Sequence, residues 1–436
     1  IKLCPSIQCK YKNMKSSRYN YFTPYNDNHL LIFNGVTKKF FFIAKKNSEE
    51  IKDLIQNPNE HKNNVIIDQL RSSGFIIDDT FNESQYLLKK RHSEINNRHY
   101  TLMLLPTYNC NFSCWYCVQD HKCINMKIDL IDKIKIHIKT YLLKNNINVF
   151  EIAWFGGEPM MCMDRIEDVA SFSKKFCSEN NISFFNSITT NAYFLNTSKI
   201  KVLKDLNFIS FQITIDGCKS DHDNVKFDCN SNNSSFEITM SNILGLLNSI
   251  PNARIILRFN YTANNIKQDK IIEDLNTYLP QNIRNKIEIL LQKVWQINER
   301  DIDHEIVIKF KKNLIKHGYR LSNSEIHKCY GCYVERKHYN AIFPNGHIVK
   351  CNNCNLNTKG GYINNLGLID WEVDSNYKLF EECEFCKYLP ICFGNCPEKR
   401  TENDSFKEKI CNNELYHLNT IIDYCENIVI QSNYKE

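Results

Sequence analysis

The sequence predicts an α/β fold: an open, partial (β/α)6 TIM-like barrel with a small winged-helix-like module before it and a cysteine-rich domain after it. Three observations carry this expectation. Between Thr101 and about Gln292, short β-branched or aromatic runs alternate with amphipathic helical stretches, the pattern of a parallel sheet covered by helices. Ahead of that stretch, two apolar runs flank Asn34-Gly35; behind it, from about residue 325, periodicity weakens while Cys, Gly, Asn and Pro become frequent. At 436 residues the chain also exceeds one ordinary hydrophobic core, so two or three packed units are expected.

Taken in order, Leu30 to Ala44 reads as a β-hairpin closed by a tight primed turn at Asn34-Gly35. Asn47 with Glu50 reads as a capping box opening a helix through Ile55. Val65 to Ser72 reads as a second helix, stopped by Gly74, with a strand at Phe75-Ile76-Ile77 behind it. Hairpin, helix, helix and strand make a winged-helix-like module over 1–95, and Lys89 to Arg98 reads as a linker. The barrel is expected over 100–325, with strands at 102–107, 148–155, 183–189, 208–215, 254–261 and 286–292. In such a barrel the reactive face lies at the C-terminal ends of the strands. A third domain is expected over 326–436, where metal bonds replace an apolar core. No internal repeat of fixed period is present, and only short stretches such as Asn230 to Ser235 read as disordered.

The net charge of +6 is spread over Lys-rich stretches that also hold Glu and Asp, the pattern of solvated helix faces, so no nucleic-acid partner is expected. No apolar run reaches the roughly 20 residues that span a bilayer. The first residues, with Lys2, Cys4 and Lys10, lack a secretory apolar core, so a cytoplasmic protein without membrane association is expected. The chain starts without Met, and its start is read as trimmed or processed. Twenty cysteines would mean disulfides in a small secreted chain; at this length and in that compartment they point to metal or cluster ligation.

Cys110, Cys114 and Cys117 stand in Cys-x3-Cys-x2-Cys spacing just after the first barrel strand, where a loop can wrap three thiolates around one metal centre. Three ligands leave one iron of a 4Fe–4S cluster open to chelation by an amino acid's amino and carboxylate groups. A zinc site would bring a fourth ligand, for which Cys123 and His121 are the nearby candidates. The next strand ends in Gly156-Gly157-Glu158-Pro159, where glycines permit close backbone approach to a ligand and Glu158 offers an acceptor for an ammonium group. By itself that sequence is an ordinary strand-to-helix loop. Together, and with aromatic Tyr116 before the last cysteine, the two motifs resemble the signature of the radical S-adenosylmethionine (radical SAM) superfamily.

The resemblance implies that a cluster on Cys110, Cys114 and Cys117 reduces the bound sulfonium of S-adenosylmethionine and releases a 5′-deoxyadenosyl radical that abstracts hydrogen. It also implies that Tyr116 lies by the adenine and that Gly156, Gly157 and Glu158 contact the methionyl amino group. Thr189-Thr190-Asn191, Gln212 to Gly217 with His222-Asp223, and Arg258-Phe259-Asn260 with Asn265 are similar to strand ends of the family's peptide-modifying branch. Thr190, Gln212 and Arg258 are therefore expected cofactor contacts, with turn and capping hydrogen bonds as the structural alternative. A lone His222 reads as a surface residue.

The second cysteine field runs Cys332-x13-Gly346-x4-Cys351, then Cys383-x2-Cys386-x5-Cys392-x3-Cys396, then Cys411. Cysteine pairs at this spacing commonly hold zinc. Behind the first motif, however, the spacing resembles the SPASM domain, the auxiliary-cluster extension of peptide-modifying radical SAM enzymes. That implies three 4Fe–4S clusters in all, one of them binding S-adenosylmethionine and two auxiliary. Cys383, Cys386, Cys392 and Cys411 would hold the distal auxiliary cluster, and Cys351, Cys396 and an upstream cysteine the proximal one. Cys329 and Cys332 close the proximal cluster if both ligate, or leave an iron open to a substrate thiolate if one does; Cys354 is a further candidate. Cys4, Cys9, Cys162, Cys177, Cys218, Cys229 and Cys425 read as small buried hydrophobes or free thiols.

Sulfatase-maturing members of the family place an Asp, their proposed base, directly after the cysteine matching Cys351. This chain has Asn352, and an amide does not accept a proton at neutral pH. The N-terminal element order resembles the leader-recognition module of ribosomal-peptide (RiPP) maturases, which capture a leader as an added strand at a sheet edge; the hairpin's other role is to cap the barrel. The resemblance thus implies a maturase that installs a cross-link (thioether, ether or carbon–carbon) or an epimerised residue in a precursor peptide carrying a leader. Its electron donor would be a flavodoxin or ferredoxin. A sulfatase-maturase-like or alcohol dehydrogenase radical enzyme is the alternative, and a zinc-bearing peptide-binding protein without catalysis is the alternative of another class.

Overall fold

A computed structural model describes residues 13–62, 64–119, 121–227, 233–266, 268–294, 296, 304–322, 331–353, 360–372, 377–402, 405 and 407–432. The chain forms two compact units: one of Ile1–Asn96, Ser324–Glu335 and Tyr377–Ile428, the other of Asn97–Asn323, Arg336–Asn376 and Val429–Glu436. The cysteine-rich region expected as a separate domain over 326–436 is therefore divided between the two units.

The first unit opens with β1 (Met14–Ser16), β2 (Asn20–Asn26), β3 (His29–Asn34) and β4 (Phe40–Ala44), then α1 (Ser48–Gln56), α2 (Val65–Ser72), β5 (Ile76–Asp78) and α3 (Glu83–Ile95). β2, β3 and β4 make an antiparallel sheet in that order, and β1 pairs with β5. The hairpin lies where the sequence puts it, but no two-residue primed turn closes it. The connection runs from Asn34 to Phe40, and the left-handed residue is Lys38 (φ 62°). Asn34 is instead a hub: its Oδ1 accepts from the N–H groups of Val36 and Thr37, and its Nδ2 donates to Ser17, Asn20 and Gly74. Asn47 likewise makes no side-chain cap to α1, whereas Asn64 and Asn82 cap α2 and α3. The segment read as a linker, from Lys89, continues α3 to Ile95, because Leu87 and Arg91 are buried on that helix. Strand β2 escaped the sequence reading because Pro24 interrupts it; Pro is tolerated there since β2 is an edge strand with a register shift at that point.

The later part of this unit packs on the hairpin. Tyr21, Leu31 and Phe33 share one apolar cluster with Tyr388, Leu389, Ile421 and Tyr424. Tyr21 stacks on Tyr388 with ring centroids 5.6 Å apart, and Phe33 meets Tyr424 edge-on at 5.8 Å.

The second unit holds β6 (His99–Leu104), α4 (Ile128–Lys144), β7 (Val149–Trp154), α5 (Met163–Glu179), β8 (Ser183–Thr190), α6 (Thr197–Asp205), β9 (Phe208–Ile215), α7 (Lys219–Val225), α8 (Ser235–Ser249), β10 (Arg254–Tyr261), α9 (Gln268–Tyr278), α10 (Gln281–Arg284), β11 (Ile287–Lys293), α11 (His304–Lys316) and β12 (Arg320–Leu321). Strands β6 to β11 are parallel neighbours in chain order, as the alternation predicts. Four further strands, β13 (Tyr339–Ile342), β14 (Ile348–Val349), β15 (Gly361–Ile363) and β16 (Ile369–Trp371), extend the sheet beyond β6; β13 runs parallel to β6 and the rest are antiparallel. Side chains alternate across each strand. Phe150, Ile152 and Trp154, with Phe211, Ile213, Leu257 and Phe259, enter the core under the helices. The alternate residues turn to the opposite face. Among the described residues no helix is long and apolar enough to cross a membrane.

Candidate functional site

The face opposite the helices becomes a cleft at the C-terminal ends of the barrel strands. Thr189 on β8 lies beside Gln212 on β9, Thr214 beside Arg258 on β10, and Asn260 beside Gln292 on β11, so strand register sets these polar side chains in adjacent rows. All six line the cleft together with Cys110, Cys114, Tyr116, Cys117, Gly156, Gly157 and Thr190, and the cleft encloses about 930 Å³ including its open mouth. Three cysteines far from these strands in sequence thus meet the strand ends that motif reasoning selected.

The cysteine loop is tied at both ends. Tyr108 N–H donates to Ile124 O at 3.0 Å, and Met126 N–H donates to Pro106 O at 2.9 Å. Its middle is anchored by Phe112, which is buried and edge-on to Tyr193 at 5.3 Å. Burial, with a smaller contribution from the neighbouring Glu158, Cys114 and Cys117, pushes the Cys110 thiol up to about 12. A buried thiol is a poor free nucleophile, but a bound metal removes its proton and turns the same burial into shelter for a cluster. Three thiols on one sheltered cleft therefore fit a metal centre with an open coordination position. His121 Nε2 stands 3.0 Å from Cys117 Sγ, so of the two fourth-ligand candidates His121 is beside the set; Cys123 is exposed.

Gly156 and Gly157 line the cleft and also approach the cysteine loop closely. A Cβ on Gly156 would lie 2.5 Å from Thr107 O, and one on Gly157 would lie 2.1 Å from Asn109 O. Gly157 N–H donates to Thr107 O at 3.0 Å and Glu158 N–H to Asn109 O at 2.8 Å. The glycines bring the end of β7 against the cysteine loop itself, as well as leaving the cleft wall free of side chains. Glu158 is fully buried and absent from the cleft lining. Its carboxylate accepts from Thr190 Oγ1 at 2.7 Å, Asn191 N–H at 2.8 Å and Met160 N–H at 2.9 Å. In this geometry Glu158 fixes the end of β8, and burial raises its pKa despite those donors.

A second polar group underlies Tyr116. The Tyr116 hydroxyl donates to Asp216, which ion-pairs with Lys226, and Asn260 Nδ2 lies 3.2 Å from the same hydroxyl. Asp216 and Lys226 are 1% and 2% exposed, so this pair is a buried one. Burial alone would raise the Asp216 carboxyl, but the Lys226 ammonium and the Tyr116 hydroxyl outweigh it and hold the carboxyl below the usual carboxylate range. Arg258 donates Nε–H to Asn260 Oδ1 at 3.0 Å, which orients its guanidinium along the cleft. Lys226 was not singled out in the sequence; no local signal marks it. His222, expected on the surface, is fully buried against Phe236, and neither ring nitrogen has a hydrogen-bond partner among the described residues.

In the first unit, the Cys383, Cys386, Cys392 and Cys411 sulfurs act electrostatically on one another, which requires them to be near neighbours. Four converging thiols are the donor set of a closed cluster or zinc site. Cys332 and Cys396 belong to the same unit, Cys351 to the other. Cys329 and Cys354 lie outside the described residues, as do Cys4, Cys9 and Cys229. Cys162, Cys177, Cys218 and Cys425 are buried, as expected of small hydrophobes.

Known proteins agree with this geometry. The model of the Radical SAM superfamily matches residues 104–275, from the end of β6 into α9. The cysteine-type anaerobic sulfatase-maturating enzyme of Clostridium novyi (strain NT) is 34% identical over 140 residues, covering 31% of this chain and 37% of that enzyme. An uncharacterized protein of Methanocaldococcus jannaschii is 34% identical over 116 residues, 27% of this chain and 38% of its own length. The alignments thus span little more than a third of either curated relative. The solved structure of native anSMEcpe with bound AdoMet and Cp18Cys peptide is 17% identical, with a TM-score of 0.54 over 77% of this chain and 100% of that one. SuiB of Streptococcus suis is 15% identical, with a TM-score of 0.47 over 89% of this chain.

Proposed function

We propose that this chain is a radical SAM enzyme, a peptide maturase that cleaves S-adenosylmethionine reductively and takes a hydrogen atom from a ribosomally made precursor peptide; the match of the Radical SAM superfamily model to residues 104–275 supports the reading. The observation that carries this reading is the meeting of Cys110, Cys114 and Cys117 with Gly156, Gly157, Thr190, Gln212 and Arg258 on one cleft. When bound, the cluster supplies the electron that splits the sulfonium of S-adenosylmethionine. The protein's own part is positional. Cys110, Cys114 and Cys117 would hold the cluster, and Gly156 and Gly157 leave the cleft wall bare of side chains. Thr190, Gln212 and Arg258 offer hydrogen-bonding groups to the ribose and carboxylate, while Tyr116, held from behind by Asp216, offers a ring edge to the adenine. Abstraction needs the substrate carbon in van der Waals reach of the radical carbon, so peptide positioning dominates the rate.

On this reading Cys383, Cys386, Cys392 and Cys411 hold the distal auxiliary cluster. A flavodoxin or ferredoxin delivers electrons. The leader adds as a strand to an edge of the β2-β3-β4 sheet, whose outer strands are β2 and β4. The product is a cross-linked or epimerised residue.

Maturation of a sulfatase Ser or Cys is the second reading, favoured by the 34% identity to the C. novyi enzyme. Against it stands Asn352, which is 7% exposed and does not serve as a base where that branch carries Asp. Anaerobically reconstituted protein, reduced with dithionite, is expected to convert S-adenosylmethionine to 5′-deoxyadenosine, and Cys114→Ala to abolish this; retained activity would refute the assignment. Acid-labile sulfide and iron separate the proposal from a zinc-bearing peptide-binding protein. A mass change on a short peptide encoded beside this frame, as opposed to oxidation of a sulfatase peptide, separates the two enzymatic readings.

A further inference from the structure

The first unit buries a charge group that the reading above does not use. Arg91 on α3 and Arg400 both donate to Glu335 Oε1, Arg400 at 2.6 Å, while Glu335 Oε2 accepts the backbone N–H of Cys332 at 2.9 Å. The three side chains are 10%, 4% and 0% exposed. Two guanidinium groups share one carboxylate, so the group carries an excess positive charge. Arg91 Nε and Arg400 Nη1 have no hydrogen-bond partner among the described residues. Burying an uncompensated cation is costly, so an anionic neighbour is expected.

Geometry identifies that neighbour. Arg400 N–H donates to Cys396 O at 3.2 Å, and its guanidinium lies against the Cys392–Cys396 loop, where a Cβ on Gly394 would sit 2.2 Å from Nη1. Phe393, Gly394 and Asn395 all take positive φ, at 42°, 80° and 49°, a conformation that Gly and Asn adopt readily and that is held against local preference in Phe393. The Arg400 charge also acts on the Cys383 sulfur. Two other charges that act on the Cys411 sulfur, Lys407 and Glu382, pair with each other at 2.9 Å and largely cancel.

We infer that Arg400, seated by Glu335 and Arg91, is the counter-charge that sets the reduction potential of a 4Fe–4S cluster on Cys383, Cys386, Cys392 and Cys411. This rests on the auxiliary-cluster reading above. Four thiolates leave such a centre net anionic, and uptake of one electron adds another negative charge, so a fixed cation stabilises the reduced form more than the oxidised one. The cluster becomes a better acceptor for the single electron released when a substrate radical closes to product.

The test is an anaerobic dithionite titration of the full reconstituted chain, read by electron paramagnetic resonance; the component that Cys383→Ala removes reports this cluster. At a fixed poise Arg400→Gln is expected to lower its reduced-to-oxidised ratio about tenfold, about 59 mV for a one-electron couple. Arg400→Lys should leave the ratio nearly unchanged, and Glu335→Gln should move it in the opposite direction. A salt bridge with a purely structural role lowers the melting temperature in every variant without ordering the potentials by charge, and that result overturns the inference. Should Arg400→Gln not fold, the comparison of Arg400→Lys with Glu335→Gln keeps the sign test. If Cys383→Ala leaves iron, sulfide and spectrum intact, the auxiliary-cluster reading itself falls.

Discussion

Replacing Gly157 by alanine places a methyl group 2.1 Å from Asn109 O and 2.5 Å from Tyr108 O, backbone atoms of the segment that leads into Cys110. Neither atom belongs to a side chain that can swing away. To open the closer contact from 2.1 Å to the 3.0 Å floor of real contacts, the two backbones must part by about 0.9 Å. The hydrogen bonds Gly157 N–H to Thr107 O and Glu158 N–H to Asn109 O, now 3.0 and 2.8 Å, then exceed hydrogen-bonding length. Two such bonds are together worth about 2 kcal/mol. On the proposed function, a displacement of this size at the cysteine loop is expected to cost activity about a hundredfold. The check is chemical unfolding of the metal-free chain, followed by iron loading and 5′-deoxyadenosine formation. Gly245→Ala is the control: its Cβ meets nothing closer than Ile200 Cδ1 at 3.6 Å inside α8. It should stabilise by about 0.5–1 kcal/mol. A Gly157→Ala protein that unfolds at the wild-type midpoint and loads full iron would show that the glycines do not hold the cysteine loop.

Two further outcomes follow from buried charge. Lys226→Met strands the Asp216 carboxylate in a buried site, with an expected loss of about 3–5 kcal/mol in unfolding measurements; Lys226→Arg or the double variant with Asp216→Asn should recover part of it. His137 is pushed down to about 4 by burial, against the Gly367 carbonyl that favours its charged form. Its folded pKa lies below the ordinary 6.5, so the unfolded chain binds the extra proton and stability falls as pH drops from about 6.5 towards 4, by about 1.4 kcal/mol per unit for this residue. Denaturation midpoints across that range should show a shallower slope in His137→Gln.

The barrel was legible wherever a strand alternates cleanly. Phe208–Ile215 and Arg254–Tyr261 were read to the residue because apolar side chains bound for the core alternate with others that face away. The first strand was displaced by three residues, since Leu105 and Pro106 continue its apolar character although the chain has already turned into the cysteine loop. Gln212, Thr190 and Arg258, selected from motifs at strand ends, line the cleft because strand register sets them in adjacent rows. Glu158 and the two glycines also make contacts within the protein, to the end of β8 and to the cysteine loop, which a motif does not disclose because it says which atoms are near a ligand and not which backbone they grip. Lys226 was invisible: it follows Asp216 by ten residues, across α7, and only the folded helix brings the ammonium back to the carboxylate.

The cysteine-rich segment raises a physical problem of its own: from Cys383 to Cys392 the backbone runs through two short helices, Glu381–Phe385 and Leu389–Cys392, whose ends leave carbonyls that need partners from elsewhere. Within the first unit those partners come from the N-terminal hairpin and the strand before it. Arg18 donates to Phe385 O, Tyr21 hydroxyl to Lys387 O, and Lys38 Nζ to Pro390 O at 2.6 Å. A Cβ on Gly35 would lie 2.7 Å from Pro390 Cγ, so the hairpin connection is fitted closely to the same segment. The apolar cluster that joins Phe33 and Leu31 to Tyr388, Leu389 and Tyr424 completes the contact. Residues almost four hundred positions apart therefore share one core, and the module expected to recognise a peptide also supports the loop that carries three of the four distal cysteines.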